Sequence, residues 1–319
     1  MSDDEISSGA HTSSAATRPS RDEARGKSWT DIFALPRPLK ELFSKFPLVT
    51  YPANELPSRS PRHEGKHALY VFSTPDAARQ NDPSYNPTCL KWQTYMRLRD
   101  IDFTTVASTN HASPSGALPF LLPGPRASGN PVPKNDSISP IPSPRIRRWV
   151  DDQRPPPPAK DEPGLSQRQD LYMSLLDHRL RRAWLYQLYL HPQNAPLLHT
   201  LYVAPCTASS PVQTALAHQL RSAAEEELRK SSGGRRIPEE ALMREGEEAL
   251  DALEEMLGQD EWFFGAGEAG LFDAAVFAYT HLLLEEDELG WGWNPLGGGL
   301  KGRKALVKHR RRVWKRAYA

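Results

Sequence analysis

Cys89 is the first side chain in this sequence whose position suggests chemistry. It follows Asn86 and a proline, a pair typical of a helix start. A thiol near a helix N-terminus can have a lowered pKa and act as a nucleophile. Its apolar neighbours Leu90 and Trp92 favour the alternative, a small buried thiol. The other cysteine, Cys206, is distant in sequence, and without a Cys-x2-Cys pair we predict neither a disulfide framework nor dithiol redox chemistry.

Histidines and carboxylates offer a weaker case for chemistry. His63 and His67 are four positions apart, but no cysteine or third histidine lies nearby, so we predict no metal and no cofactor. Asp273 occupies the third position of a predicted apolar helix, where a carboxylate accepts a backbone N–H and faces the positive end of the helix dipole. We therefore interpret Asp273 as a helix cap and His281, on the same helix, as a core residue.

A short apolar segment at 116–122, Gly-Ala-Leu-Pro-Phe-Leu-Leu, predicts a strand at the edge of a small sheet. Its proline pins the backbone there, with a cis bond before Pro119. Backbone N–H and C=O groups beside such a proline are available to an extended peptide. We therefore predict a peptide groove, and Ser143 belongs to it at a second predicted helix start. The groove residues are Leu118, Pro119, Phe120, Cys89 and Ser143.

The elements that position these residues fall into two halves. In the first half, apolar runs at 68–72 and 101–106 predict two strands with a helix between them, and this crossover implies that the strands are parallel. In the second half apolar residues recur at helical spacing. The predicted helices of this half are 172–190, 212–229, 237–257 and the apolar central helix 271–284. The fold class is therefore α+β, with a small mixed domain followed by an all-α domain.

Proline-rich and polar segments mark the boundaries between these parts. The consecutive prolines at 155–158 predict a semi-rigid linker, and the Pro/Gly/Ser-rich stretch at 123–142 predicts a long insert. The predicted organisation is a disordered tail at 1–28, an N-terminal arm at 29–66, a mixed domain with a Pro-rich insert at 67–152, a linker at 153–164, an all-α domain at 165–289, and a Gly/Trp loop with a basic C-terminal helix at 290–319.

Composition excludes several classes of protein. The chain has 319 residues, of which thirty are proline, and a formal net charge of +1, which says little about partners. Its mean hydropathy of −0.61 indicates that much of it is not core. No apolar run reaches about 20 residues, so no membrane-spanning helix is predicted. The N-terminus is acidic and lacks an apolar or Arg-rich leader, which argues against secretion and against a cleaved presequence and predicts exposure to the cytosol.

Basic residues are concentrated near the C-terminus, where nine lysines or arginines and no acid occur between Lys301 and Arg316. A weakly amphipathic basic helix suits an anionic membrane surface or a protein partner, and a solvated tail without a partner is the alternative. Nucleic acid is not favoured, because no binding motif accompanies the charge. Tryptophans in the preceding loop are candidate docking anchors or packing residues. The predicted docking residues are Trp291, Trp293, Lys308, Arg310, Arg311, Arg312 and Trp314.

Three co-linear stretches resemble the metaxins, glutathione-transferase-like subunits of the mitochondrial outer-membrane sorting and assembly machinery. They are 69–92, with the Asn86-Pro87 helix start; 116–121, with Pro119; and 172–189 together with 262–284. The resemblance covers about residues 29–289. It implies a thioredoxin-like domain followed by a helical domain, and because the C-terminus cannot span a membrane, it points to the smaller, anchorless type of subunit.

What the resemblance implies about function is binding without catalysis. Such a subunit lies peripherally on the cytosolic face of the outer membrane, contacts the barrel-forming core subunit and a second metaxin-like subunit, and helps to recognise the C-terminal sorting signal of β-barrel precursors. The alternative is a cytosolic glutathione-dependent transferase. That alternative implies Ser73, Tyr85 or Cys89 as the thiol-activating group, Pro119 beside the backbone clamp, and Ser143 at the γ-glutamyl end. The acid that usually precedes the clamp serine is absent, since Ile141 and Pro142 stand there.

Overall fold

The computed structural model describes residues 66–124, 140–155, 165–231, 237–285 and 289–319. The predicted tail, nearly all of the N-terminal arm, most of the Pro-rich insert and most of the linker lie outside these residues, as does His63. All described residues belong to one compact unit.

A four-stranded mixed sheet forms the centre of the first half. Its strands are β1 (His67–Val71), β2 (Phe103–Ala107), β3 (Phe120–Leu122) and β4 (Ile141–Pro142), in the order β2-β1-β3-β4. β1 runs parallel to β2 and antiparallel to β3, which in turn runs antiparallel to β4. The parallel pair confirms the predicted crossover, because a helix joins the two strands.

Three helices of the first half connect or follow the strands in sequence. α1 (Pro75–Gln80) and α2 (Pro87–Leu98) lie between β1 and β2, and α3 (Ser143–Gln153) follows β4. Nine of the twelve residues of α2 are buried, because this helix packs against the helical half and also contacts the sheet, where Gln93 donates to Thr105 of β2 at 3.4 Å. α2 is therefore the element that joins the two halves.

The second half is entirely helical. α4 covers residues 165–190 as Leu165–Leu175, a π-helical turn at Leu176–Leu180, a regular turn at Arg181–Leu185 and a second π-helical turn at Tyr186–Leu190. α5 begins at Ala195–Leu198 and continues through a π-helical turn, His199–Val203, and a 3-10 turn, Ala204–Cys206. The remaining helices are α6 (Ser210–Ser231), α7 (Glu239–Leu257), α8 (Leu271–Leu284), α9 (Pro295–Leu300) and α10 (Lys304–Ala317).

α8 is the central helix, as its composition predicts. Twelve of its fourteen residues are buried, and it packs against α2 of the first half as well as α9 and α10. A helix that is apolar nearly all round must be covered on every side, and these neighbours provide that cover. The two halves therefore share one continuous core.

The C-terminal helix α10 packs onto the protein instead of extending from it. Leu306, His309 and Val313, spaced at three and four residues, are fully buried. At its start, the Glu254 carboxylate of α7 accepts the backbone N–H groups of Ala305 at 2.9 Å and of the next residue at 2.8 Å. This carboxylate supplies the cap that α10 lacks in its own sequence.

At its other end, α10 holds α2 of the first half. The Tyr318 hydroxyl lies 2.9 Å from Thr94 Oγ1, and the Arg97 guanidinium stands 4.2 Å from the Tyr318 ring centroid. Arg97 also donates to the Ala317 carbonyl at 3.0 Å, and Arg316 makes two hydrogen bonds to Asp100. The last residues therefore fasten the helical half to the thioredoxin-like half.

Asp273 connects three segments with one buried carboxylate. Its Oδ2 accepts the N–H of Gly270 at 2.8 Å, which caps α8, and its Oδ1 accepts the N–H of Phe263 at 3.1 Å. His309 Nε2 of α10 lies 2.9 Å from the same Oδ1, and both side chains are almost completely buried. The predicted capping role is present, and the additional contact to α10 makes Asp273 a structural centre.

Several expectations from sequence require correction. β3 does not lie at the edge of the sheet, because β4 pairs with its outer side. The segment 290–299 is not only a loop, since Asn294 caps the short helix α9 within it. α1 and α5 were not predicted: α1 is only six residues long, and the sequence of α5 contains two internal prolines that disguise its periodicity.

Replacing Asp273 should therefore destabilise the whole unit. In Asp273→Ala the N–H groups of Gly270 and Phe263 and the His309 ring lose a buried partner, and we expect the free energy of unfolding to fall by about 3–5 kcal/mol. Urea denaturation followed by circular dichroism measures this. Asp170→Ala, at an exposed position of α4, is the control and should change it by less than about 0.5 kcal/mol. Equal effects of the two substitutions would contradict the central role of Asp273.

Candidate functional site

The N-terminus of α2 lies where a thiol-activating group is expected. The Asn86 side chain accepts the N–H of Cys89 at 3.2 Å, so the predicted cap is formed. Cys89 is fully buried, and desolvation by burial raises the pKa of its thiol to about 12. Hydrogen bonding favours the thiolate only as a smaller, opposing effect. The thiol is therefore protonated at neutral pH and is not an activated nucleophile.

The space in front of this helix terminus is filled by Tyr202 of α5. Its hydroxyl accepts a hydrogen bond from Asn86 Nδ2 at 3.1 Å. Its ring makes edge contacts with Phe72 at 5.1 Å and Tyr85 at 5.2 Å between centroids, and it packs beside Tyr189 at 5.7 Å. These four rings form an aromatic cluster at the junction of the two halves. A side chain of the helical half thus packs against the N-terminus of α2.

The other two candidate activating groups are not prepared for thiol chemistry. Burial raises the pKa of the Tyr85 hydroxyl well above its usual value, so this phenol stays neutral. The Ser73 side chain is buried, and its hydroxyl donates to the neighbouring Thr74 carbonyl at 3.2 Å. Among the residues that the structure describes, neither hydroxyl is hydrogen-bonded to a basic side chain that could draw a proton from a bound thiol.

The backbone beside Pro119 is largely engaged within the protein. The Leu118–Pro119 bond is cis, as the sequence predicts. The N–H of Leu118, however, donates to Asn110 Oδ1 at 3.0 Å. Phe120 is paired with Tyr70 of β1 on one side and with Pro142 of β4 on the other. An extended peptide at this position would have to displace bonds that the protein already makes, and the Leu118, Pro119 and Phe120 side chains are themselves buried.

Ser143 is occupied by a different contact. It is the first residue of α3, and its Oγ accepts the indole N–H of Trp92 at 2.8 Å. The serine therefore links α3 to α2 and does not cap its own helix. The expected groove residues are thus close in the fold, but each is used in packing or in an internal hydrogen bond.

Docking residues predicted near the C-terminus separate into two groups. Arg310 pairs with Glu285 and donates to His281 Nδ1, and Arg312 donates to the backbone carbonyls of Asp260 and Glu261. Burial and the Arg310 charge lower the pKa of His281 to about 3, so this core histidine is neutral. Lys308 and Arg311 are exposed, and Trp314 is 37% exposed and stacks on the His281 ring.

Four exposed basic residues of α10 form one row, whereas the exposed Arg316 lies outside it and pairs with Asp100. Their spacing of four, three and four residues places them on a single face of the helix, opposite the buried residues. No ion pair within the described part of the chain engages them. We call these residues the basic stripe: Lys304, Lys308, Arg311 and Lys315.

Trp291 and Trp293 pack back onto the helical bundle. The Trp291 indole donates to the Leu282 carbonyl at 3.1 Å, and its ring meets Trp184 at 5.3 Å. Trp293 stacks on His191 at 3.8 Å between centroids, and both tryptophans are half-buried or nearly so. Buried Asn194 fixes this loop by accepting the N–H groups of Gly292 and Trp293.

Metal binding has no support in the part of the chain that the structure describes, where no cluster of three or more histidine, cysteine or acidic side chains could hold an ion. His67 Nδ1 instead accepts the N–H of Gly124 at 2.8 Å. Among the same residues, no helix is long and apolar enough to cross a membrane.

Comparisons with known proteins agree with this architecture. Residues 87–194 match the family model for the glutathione S-transferase N-terminal domain, and residues 246–313 match the model for the C-terminal domain. Glutathione transferases GSTFuA3 and GSTFuA2 from Phanerochaete chrysosporium are similar structures, at 12% and 13% identity and a TM-score of 0.50 each. Each match covers 80% of this chain and 98% or 99% of the other. Among curated proteins no significant match was found.

These matches define a protein of the glutathione-transferase fold, with a thioredoxin-like domain and a helical domain. Residues 33–91 match a third family model, SAM35, a subunit of the SAM complex. The chain is accordingly a metaxin-like protein with this fold, related to the sorting and assembly machinery. The SAM35 match reaches from the segment before β1 into the start of α2 and overlaps the first transferase match.

The two cysteines should differ sharply in reactivity. At pH 8 a thiol of pKa about 12 is ionised in about one molecule in ten thousand, so buried Cys89 should resist alkylation. Cys206 is exposed and should react, although partial burial raises its pKa and slows the reaction. Intact-mass spectrometry after iodoacetamide treatment should show one adduct in the native protein and two in urea. The Cys206→Ser variant should show no adduct in the native state. Alkylation of Cys89 in the native protein would contradict the burial of its thiol.

Proposed function

We propose that this protein is a non-catalytic, peripheral subunit of the sorting and assembly machinery of the mitochondrial outer membrane. In this role it binds β-barrel precursors through their C-terminal sorting signal and supports their insertion, together with a barrel-forming core subunit and a second metaxin-like subunit. The observation that carries the proposal is the SAM35 match over residues 33–91.

Three features of the site support a role without catalysis. The Cys89 thiol and the Tyr85 phenol both have raised pKa values, so neither deprotonates readily near neutral pH. Tyr202 packs against the α2 terminus and accepts a hydrogen bond from its cap residue, Asn86. The Leu118 N–H is already bonded to Asn110. Activity would therefore require the loss of packing that the fold now contains.

The basic stripe supports peripheral attachment to an anionic membrane surface. Its four side chains share one exposed face and have no acidic partners among the described residues. Each basic residue near an anionic leaflet contributes about 1 kcal/mol, so the stripe as a whole contributes about 4 kcal/mol. The half-exposed Trp314 beside it adds an aromatic group of the type that favours the membrane interface.

Affinity purification from detergent-solubilised mitochondria tests membership of the complex. We expect a tagged copy to recover a barrel-forming assembly subunit and a second metaxin-like chain, identified by mass spectrometry. A glutathione column should not retain the purified protein. Recovery of the protein alone from the soluble fraction, with retention on glutathione, would favour the transferase alternative.

Reversing charge on the basic stripe tests the membrane contact. Lys308→Glu combined with Arg311→Glu should weaken binding to vesicles containing 30% phosphatidylserine by about 30-fold or more, since it removes about 2 kcal/mol of attraction. Sedimentation with the vesicles at 0.1 M and 0.5 M salt measures binding and its screening. Arg145→Glu with Arg148→Glu, an exposed pair on α3, is the charge-matched control.

Binding that is insensitive to the stripe or to salt would contradict lipid attachment through α10. If the stripe variant also loses the barrel-forming subunit in detergent, where no bilayer is present, the stripe instead contacts that protein.

A further inference from the structure

A small pocket opens beside the aromatic cluster, at the carboxyl ends of the parallel strands β1 and β2. Its volume is about 130 Å³. Crevices outside the carboxyl ends of parallel strands are the usual ligand sites of open α/β sheets. Residues from both halves line it, among them Phe72, Ser73, Tyr85, Thr109, Leu201 and Tyr202.

The size and lining of this pocket define what it can hold. A cavity of about 150 Å³ takes one benzene molecule, so this pocket has room for about one ring or branched aliphatic group. The Tyr202 ring meets the rings of Phe72 and Tyr85 edge to face, and the three rings provide an apolar wall; serine and threonine residues complete the lining. None of its lining residues is charged. Glutathione, with two carboxylates and an ammonium group, would find no charged partner there.

The pocket also lies at the end of an edge strand. The backbone N–H of Ser108 points toward β1 and donates to the Val71 carbonyl at 2.9 Å. Because backbone groups alternate in direction along a strand, the N–H and C=O groups of every second residue of β2 point outward, away from β1. Thr105 is one of them, and its N–H is covered by Asn81 Oδ1 at 3.1 Å. The next outward residue, Ala107, lines the pocket, and the backbone continues extended through Thr109. A strand added at Ala107 would therefore place a side chain at the pocket.

We propose that this pocket receives one aromatic or branched aliphatic side chain of an extended peptide that pairs with the outer edge of β2 at Ala107. The inference rests on the proposed function and deepens it, because it gives the precursor strand a location. It also differs from the groove at Leu118, Pro119 and Phe120, where the backbone is engaged internally.

Peptide binding to the full chain tests this assignment. The probe is a fluorescein-labelled peptide of about ten residues that copies the last strand of a mitochondrial β-barrel protein and carries one phenylalanine. Fluorescence anisotropy should give a Kd that rises about tenfold or more in Thr109→Phe, which fills the pocket at an extended backbone position. Thr214→Phe, on the exposed surface of α6, should leave the Kd unchanged.

Each result has a distinct meaning. Failure of the wild-type protein to bind this peptide would overturn direct precursor recognition, and with it the pocket. Binding that persists in Thr109→Phe, or that is unchanged when serine replaces the phenylalanine of the peptide, would overturn the pocket alone.

Cys206 provides a second measurement that does not depend on a pocket variant. It lies on the pocket lining and is exposed, whereas Cys89 is buried. The same peptide with a bromoacetyl group beside its phenylalanine should alkylate Cys206 of the wild-type protein faster than a scrambled peptide does. The unlabelled peptide should compete, and millimolar S-methylglutathione, which has no free thiol to react with the bromoacetyl group, should not. Equal rates for the two peptides, or competition by S-methylglutathione, would overturn the peptide assignment; Cys206→Ser is the control.

Discussion

The Asp273 carboxylate is almost completely buried, and a carboxylate in that position is stable only if every oxygen has a partner. Its two oxygens accept the N–H groups of Gly270 and Phe263 and meet His309 Nε2. One charge therefore determines the start of α8, the turn that precedes α8 and the position of α10. Because these groups lie at 263, 270, 273 and 309, local helix capping and long-range packing depend on the same atoms. A helix cap thus determines tertiary structure here.

The position of α10 has consequences on both of its faces. Inward-facing arginines are paired within the protein. Arg310 forms an ion pair with Glu285, and Arg312 donates to the backbone carbonyls of Asp260 and Glu261. The four residues of the basic stripe have no such partners within the described part of the chain. A formal net charge of +1 conceals this division, because acids elsewhere balance the total. In the folded protein, internal partners engage the inward-facing arginines and one exposed basic row is left on α10.

Sequence reasoning succeeded where one local pattern determines the structure and failed where distant residues decide it. The Asn86 cap, the burial of α8 and the parallel pair of strands follow from spacing and composition, and all are present. The prediction of an edge strand at Pro119 was wrong because β4, two residues long, has no recognisable pattern of its own. No feature near Asn86 indicates that Tyr202, 116 residues later, covers it. The same holds for Asn110 and Leu118, since an asparagine in a polar loop gives no sign of its acceptor role.

The raised pKa values near the α2 terminus and the packing of Tyr202 against that terminus have the same physical cause. An activated thiol needs a polar or cationic environment that favours the thiolate, whereas burial among apolar groups favours the neutral thiol. Tyr202 extends from the helical half to the α2 terminus and, with Phe72 and Tyr85, forms an aromatic environment there. This packing raises the pKa values of Tyr85 and Cys89 and is part of the core that joins the two halves. Binding an apolar side chain does not require an activated thiol, because its driving force is burial itself. The uncharged aromatic lining of the pocket at this junction is therefore chemically suited to an apolar side chain.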